Sequence, residues 1–195
     1  CCGSQTAFAS VRIIAGEFRG VALASVGQGD AGAHLRPTTD RVRESLFNVL
    51  GNLDVMDGAR VLDLFAGTGA LGLEALSRGA AHATFVDDGR VAQRLIGQNI
   101  AKLRVSDRTD IVRRDARHLP GRTGAPFDLV FMDPPYHKNM GALALAAADK
   151  GGWLARNATI VWEEAYPIDA PPGYQQVDHR KYGDTHVTLL SKSRA

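Results

Sequence analysis

Two hydrophobic rhythms divide the chain. Residues 11–24, VRIIAGEFRGVALA, hold two short apolar runs around Gly16-Glu17-Phe18-Arg19-Gly20, a turn-rich break that predicts a β-hairpin. Residues 25–36 are rich in Gly, Ser and Asp and predict a loop. Val42, Leu46, Val49 and Leu50 then recur at helical spacing, with Phe47 beside them. Thr38 or Thr39 is the expected N-cap of that helix, and Gly51 its stop. From Gly58 the pattern becomes strand and helix in alternation. Val61 to Phe65 reads as a buried strand, Ala66 to Gly69 as a glycine-rich turn, and 70–79 as a helix closed by Gly79. A second strand follows at 83–86, a helix at 90–103, a short third strand at Ile111-Val112 and a fourth at 127–132. An Ala/Leu helix at 139–149 leads to a fifth strand at 159–162. The segments 174–181 and 185–191, around Gly183-Asp184, predict a closing hairpin. Strand–helix alternation of this kind implies an α/β fold with a mostly parallel sheet and helices on both faces.

Composition narrows the class. Apolar residues make up 45% of the 195 and charged residues 23%, which suits one globular domain and excludes disorder as the main state. No apolar run approaches the length of a membrane span. The two cysteines, Cys1 and Cys2, are adjacent, so neither a disulfide framework nor a cysteine-based zinc site is expected. The six histidines lack metal-ligand spacing, and no metal is expected. Residues 1–10 show no secretory pattern and read as a disordered tail; the expected compartment is the cytoplasm. Of the 23 basic residues 18 are arginine, the cation suited to bidentate phosphate contacts and to stacking on bases, although a GC-rich genome produces the same bias.

The stretch from Gly67 to Gly72 satisfies G-x-G-x-x-G, follows a strand and opens a helix, and Asp87 ends the next strand. Such a loop lets backbone approach a nucleotide-like cofactor closely, and the carboxylate suits ribose hydroxyls. A dinucleotide and S-adenosylmethionine both fit these features. Asp63, four residues before Gly67, favours the second. A carboxylate repels a pyrophosphate but attracts the amino group and sulfonium of S-adenosylmethionine. Asp63 could equally cap backbone N–H groups.

Asp133-Pro134-Pro135-Tyr136 follows the fourth strand, at the carboxyl edge where open α/β sheets bind ligands. This tetrad suits methylation of an exocyclic amine on a base. Such an amine is a poor nucleophile because its lone pair is delocalised into the ring. Hydrogen bonds to the Asp133 carboxylate and the Pro134 carbonyl favour a pyramidal nitrogen, and two prolines aim that carbonyl beforehand. Tyr136 can stack on a flipped-out base.

With these residues the chain resembles the class I S-adenosylmethionine-dependent methyltransferases that methylate amino groups. Its first third is similar to the RsmD family. The resemblance is carried by Arg12-Ile-Ile-Ala-Gly16, Arg19-Gly20, Arg36-Pro37-Thr38, Asp40-Arg41-Val42-Arg43-Glu44 and Leu46-Phe47-Asn48, together with Asp63 to Gly79 and the Asp133 tetrad. It spans about residues 11–191. It implies a Rossmann-like methyltransferase with a seven-stranded, mostly parallel sheet, a C-terminal antiparallel hairpin and an N-terminal β-hairpin extension. It implies methylation of a guanine N2 in 16S ribosomal RNA of the bacterial small subunit. The residues it assigns to S-adenosylmethionine are Asp63, Phe65, Gly67 and Gly69 near the methionine end, Asp87 or Asp88 at the ribose, and Asp115 with Ala116 at the adenine. Asp133, Pro134, Pro135 and Tyr136 are then catalytic. The pair Asp87-Asp88 departs from the Glu expected at the ribose position.

Arg12, Arg19 and Arg36 are the expected RNA-phosphate contacts; Arg41 and Arg43 lie close in sequence, interleaved with Asp40 and Glu44. The expected organisation is a tail at 1–10, an RNA-contacting hairpin and helix at 11–50, and a methyltransferase domain at 51–195, acting as a monomer on 16S RNA or the small subunit. Two alternatives stay open: an adenine-N6 DNA methyltransferase using the same tetrad, and a noncatalytic module binding S-adenosylmethionine during ribosome assembly. The lack of any target-recognition domain within 195 residues counts against the first, and the intact tetrad against the second.

Overall fold

A computed structural model describes residues 10–27, 38–136 and 138–193. Seven strands form one sheet in the order β3-β2-β1-β4-β5-β7-β6. They are β1 (Arg60–Leu64), β2 (His82–Val86), β3 (Thr109–Val112), β4 (Phe127–Met132), β5 (Leu154–Glu164), β6 (Tyr174–Tyr182) and β7 (Thr185–Lys192). The first five run parallel, and β7 and β6 complete the sheet antiparallel to their neighbours. The helices are α1 (Asp40–Asn52), α2 (Ala70–Ser77), α3 (Arg90–Leu103) and α4 (Met140–Lys150). Each strand and helix expected from residue 40 onward is present. The fifth strand is longer than its apolar run because polar Arg156 and Asn157 extend it toward Leu154.

The continuous apolar runs of β1 and β4 follow from burial on both sides. On one face, Val61, Leu129, Phe131, Val161 and Leu189 pack with Leu46, Phe47 and Leu50 of α1, Leu73 and Leu76 of α2 and Ile96 and Ile100 of α3. The Phe47 and Phe131 rings meet with centroids 5.6 Å apart. On the other face, Leu62, Leu64, Val130, Met132, Ile160 and Trp162 pack with Ala144, Leu145 and Ala148 of α4. Gly141 permits that close packing, since a Cβ there would lie 2.5 Å from the Trp162 ring.

The expected N-terminal hairpin is a ribbon of two extended segments with one antiparallel bridge, Arg12 to Ala22. The Ile13 N–H donates to the Val21 carbonyl (3.0 Å) and the Leu23 N–H to the Val11 carbonyl (2.7 Å). Helices hold it as firmly as its own pairing does. Val11, Ile13 and Leu23 join the same core as α1 to α3. Fully buried Glu74 of α2 accepts the Ile14 and Ala15 N–H groups and the Arg78 guanidinium. Fully buried Arg43 of α1 donates to the Arg12 carbonyl (2.8 Å) and to Asp40 (2.6 Å). At the turn, Gly16 (φ +86°) lies so close to α2 that a Cβ would fall 1.8 Å from the Ser77 carbonyl oxygen. The residues assigned to an extension therefore share one core with the domain they precede. Thr39 is the N-cap of α1, accepting the Val42 N–H at 3.3 Å. The tail at 1–9, most of the predicted loop, and Arg36 lie outside the described residues.

Candidate active site

Strand order reverses between β1 and β4, and ligands of open α/β sheets bind beyond the carboxyl ends at that point. The glycine loop leaves β1 there, and the D-P-P-Y tetrad leaves β4. Asp63 and Leu64 stand in register with Phe131 and Met132, so the two motifs emerge side by side from hydrogen-bonded strands.

The path from β1 into α2 needs three left-handed residues: Phe65 (φ +57°), Gly67 (+60°) and Gly69 (+79°). Glycine adopts this conformation freely, whereas a bulky Phe does so under strain, a feature that clusters at ligand sites. Gly69 precedes α2 and offers no side-chain cap of its own, and within the first turn the Gly72 N–H is taken up by the Asp63 carboxylate. Close packing excludes side chains beneath the loop: a Cβ on Gly72 would lie 2.5 Å from the Phe85 ring. The result is a backbone cradle at a helix N-terminus, suited to a nucleoside.

Carboxylates brace this cradle. Asp63 is 2% exposed and accepts the Gly72 N–H at 3.0 Å. Burial pushes its carboxyl up to about 8, against the lowering effect of that hydrogen bond. The capping role open in the sequence is thus observed. Asp87, half-buried, accepts the Gly67 N–H (3.0 Å) through one oxygen and the Gly89 N–H (2.8 Å) through the other. Burial raises its pKa as well. Asp88 is exposed. Asp87 is therefore the member of the pair that touches the glycine loop. Asp115 caps the 3-10 turn at Ala116–His118 and is gripped by the Arg117 guanidinium through both oxygens, which holds its carboxyl down at about 2. Ala116 is buried and belongs to the second core, the cluster that also holds Val86 and Leu64.

In the tetrad, Asp133 is half-buried, Pro134 buried and Pro135 exposed. The Tyr136 hydroxyl lies 3.1 Å from Thr185 Oγ1 of β7 and donates to Glu163 of β5 at 3.4 Å. Glu163 also accepts the Thr38 hydroxyl at 3.2 Å.

Among the expected RNA contacts, Arg12 is exposed and pairs with Asp40 at 3.1 Å, and Arg19 is exposed at the ribbon turn. Arg43 is buried in the ion-pair network under the ribbon. Three residues that sequence reasoning missed support the site. Asn99 of α3, fully buried, donates to the Thr68 carbonyl inside the glycine loop (2.9 Å) and accepts the Ala24 N–H (2.6 Å). Glu163 and Thr185 flank the tetrad tyrosine. An amide at a helix position otherwise apolar, and an acid closing an apolar strand, were the available signals. Among the described residues no group of three or more His, Cys, Asp or Glu side chains could hold a metal ion. No helix among them is long and apolar enough to cross a membrane.

A doubly wound sheet ending in an antiparallel pair, with a glycine cradle after β1 and a D-P-P-Y tetrad after β4, has the fold of a class I methyltransferase. Known proteins narrow this further. A family profile described as Conserved hypothetical protein 95 matches residues 11–191. The chain is 37% identical over 188 residues to the putative rRNA methyltransferase YlbH of Bacillus subtilis (strain 168), covering 93% of this chain and 99% of that protein. It is 43% identical over 154 residues to ribosomal RNA small subunit methyltransferase D of Escherichia coli (strain K12), covering 78% and 74% respectively. Among solved structures, the putative methyltransferase yhhF from Escherichia coli matches with a TM-score of 0.82 at 35% identity, over 95% of this chain and 99% of that one. The chain belongs to this family of methyltransferases, the RsmD family that its sequence resembles.

Proposed function

We propose that the protein methylates N2 of a guanine in 16S ribosomal RNA of the small subunit, as a cytoplasmic monomer using S-adenosylmethionine. The carrying observation is the emergence of the glycine loop and the D-P-P-Y tetrad from the adjacent strands β1 and β4. The relatives' names, a ribosomal RNA small subunit methyltransferase and a putative rRNA methyltransferase, support the RNA substrate.

The cradle fits S-adenosylmethionine, which supplies an electrophilic methyl group. Asp63 and the backbone from Phe65 to Gly69 would hold its methionine end, Asp87 with Asp88 its ribose, and Asp115 with Ala116 its adenine. On the other side, the Asp133 carboxylate and Pro134 carbonyl accept hydrogen bonds from the guanine amine, turning its lone pair out of the ring plane. The stacked Tyr136 ring holds the base. Catalysis rests on orientation, and the surplus proton leaves once nitrogen has become cationic. Residues 11–50, with Arg12, Arg19 and Arg36, form the RNA-contacting part, and 51–195 the catalytic part.

The test is methyl transfer from labelled S-adenosylmethionine to unmodified small subunits, free 16S RNA and duplex DNA, followed by nucleoside identification. N2-methylguanosine from a ribosomal substrate is the expected result. N6-methyladenine in DNA, or no product from any substrate, overturns the reading.

A further inference from the structure

Glu163 stands at the level of the tetrad. Met132, the last residue of β4, is in register with Trp162 of β5, so Glu163 lies one residue further, beside Asp133 at the same sheet edge. On its other side Glu163 is in register with Val187 of β7. Its carboxylate bridges two hydroxyls, accepting Tyr136 through Oε1 (3.4 Å) and Thr38 through Oε2 (3.2 Å). The Tyr136 hydroxyl meets Thr185 Oγ1 at 3.1 Å. With Thr185 donating to Tyr136 and Tyr136 donating to Glu163, every hydroxyl in the chain is used consistently.

These contacts matter because they hold the Tyr136 ring by its phenolic end. It follows Pro135, which is exposed, in a turn beyond the end of β4. A ring that must present its face to a flat base needs its plane and tilt set from the far end. The phenolic oxygen is the handle, and β5 and β7 are rigid supports for it. Thr38, the other hydroxyl held by Glu163, immediately precedes the N-cap of α1, so the same carboxylate ties the start of α1 to the tetrad.

We infer that Glu163 is a positioning residue for the target base, acting through the Tyr136 hydroxyl and touching neither base nor cofactor. This rests on the methyltransferase reading. The test is steady-state kinetics with the RNA substrate, S-adenosylmethionine binding by calorimetry, and a double-mutant cycle, all on the full chain. Glu163→Ala should lower kcat about tenfold, while cofactor affinity and melting temperature hold near wild type. Glu163→Gln, whose amide oxygen still accepts a hydroxyl, should restore most of that rate. In a Tyr136→Phe background Glu163→Ala should add less than twofold, because the bond it would break is already gone. Thr185→Val offers a second entry to the same bond and should resemble a mild Tyr136→Phe. Equal losses for Gln and Ala, or effects that multiply with Tyr136→Phe, overturn the inference and make Glu163 a direct contact. A full-rate Glu163→Ala also overturns it. A wild-type protein that methylates no RNA overturns this inference together with the methyltransferase reading, whereas an active wild type isolates the role of Glu163.

Discussion

The two halves of the site are built from different materials. The proposed cofactor half is backbone braced by buried and half-buried side chains. Asp63 grips Gly72, Asp87 grips Gly67, and Asn99 grips Thr68, all at 2.9–3.0 Å. The proposed base half is side chain braced by side chain, with half-buried hydroxyls and a carboxylate at 3.1–3.4 Å. Bonds from side chains to backbone N–H and C=O groups fix the path of the glycine loop in advance. Bonds between side chains fix one ring by its phenolic oxygen instead.

Four predictions probe that contrast, from the largest expected effect to the smallest. Asp133→Ala removes the proposed acceptor for the amine, and kcat should fall by about 10²–10³-fold with cofactor affinity unchanged. A parallel loss of cofactor binding would show that the halves are not separable.

The second concerns pH. Asp63 is raised from its ordinary 3.8 to about 8 by burial, so the folded protein binds a proton there that the unfolded chain has released. Stability of the ligand-free protein should therefore be fullest below about pH 4 as far as this group is concerned. It should be lost progressively as pH rises toward 8, then level off. A cationic amino group beside Asp63 favours the ionised form, so cofactor affinity should rise between pH 6 and 8, by at most about tenfold per unit. Asp63→Asn should flatten both dependences, read by thermal melts and calorimetry across that range; retention of either slope would mean another group titrates.

Third, Asn99→Leu leaves the Thr68 carbonyl and the Ala24 N–H without their partner. Cofactor binding should weaken by about 1–3 kcal/mol while the RNA Michaelis constant holds. Fourth, replacing Arg12, Arg19 and Arg36 by Glu should weaken RNA binding, lower its salt slope by about 1 for each arginine on a phosphate, and spare the cofactor half. RNA affinity equal to wild type would remove these arginines from the interface.

Much of this was legible in local pattern. Short apolar runs marked the central strands and period-3.6 hydrophobicity the helices, because burial on one or two faces is written directly into residue type. The glycine loop and the tetrad were legible as well: left-handed turns call for Gly, and an aimed carbonyl calls for Pro. The N-terminal segment was legible as a paired ribbon, but not its attachment to α2. That attachment depends on Gly16 meeting Ser77 and on Glu74 meeting Ile14 and Ala15, contacts between residues about sixty positions apart. The arginine cluster shows the same limit. Arg12 and Arg43 look alike in sequence, yet one is exposed and the other has no exposed surface.

Residue order alone thus settled the element types, the mostly parallel sheet and the two motifs proposed to carry the chemistry, since each is a short-range consequence of side-chain shape and polarity. Partnership was decided only when the chain closed. Which carboxylate of Asp87 and Asp88 meets the loop, that Asp63 is buried enough to hold a proton, and that Glu163 and Thr185 stand behind Tyr136 all follow from strand order and register. Those place distant residues within hydrogen-bond reach and remove water from between them, and no local rule of sequence encodes either effect.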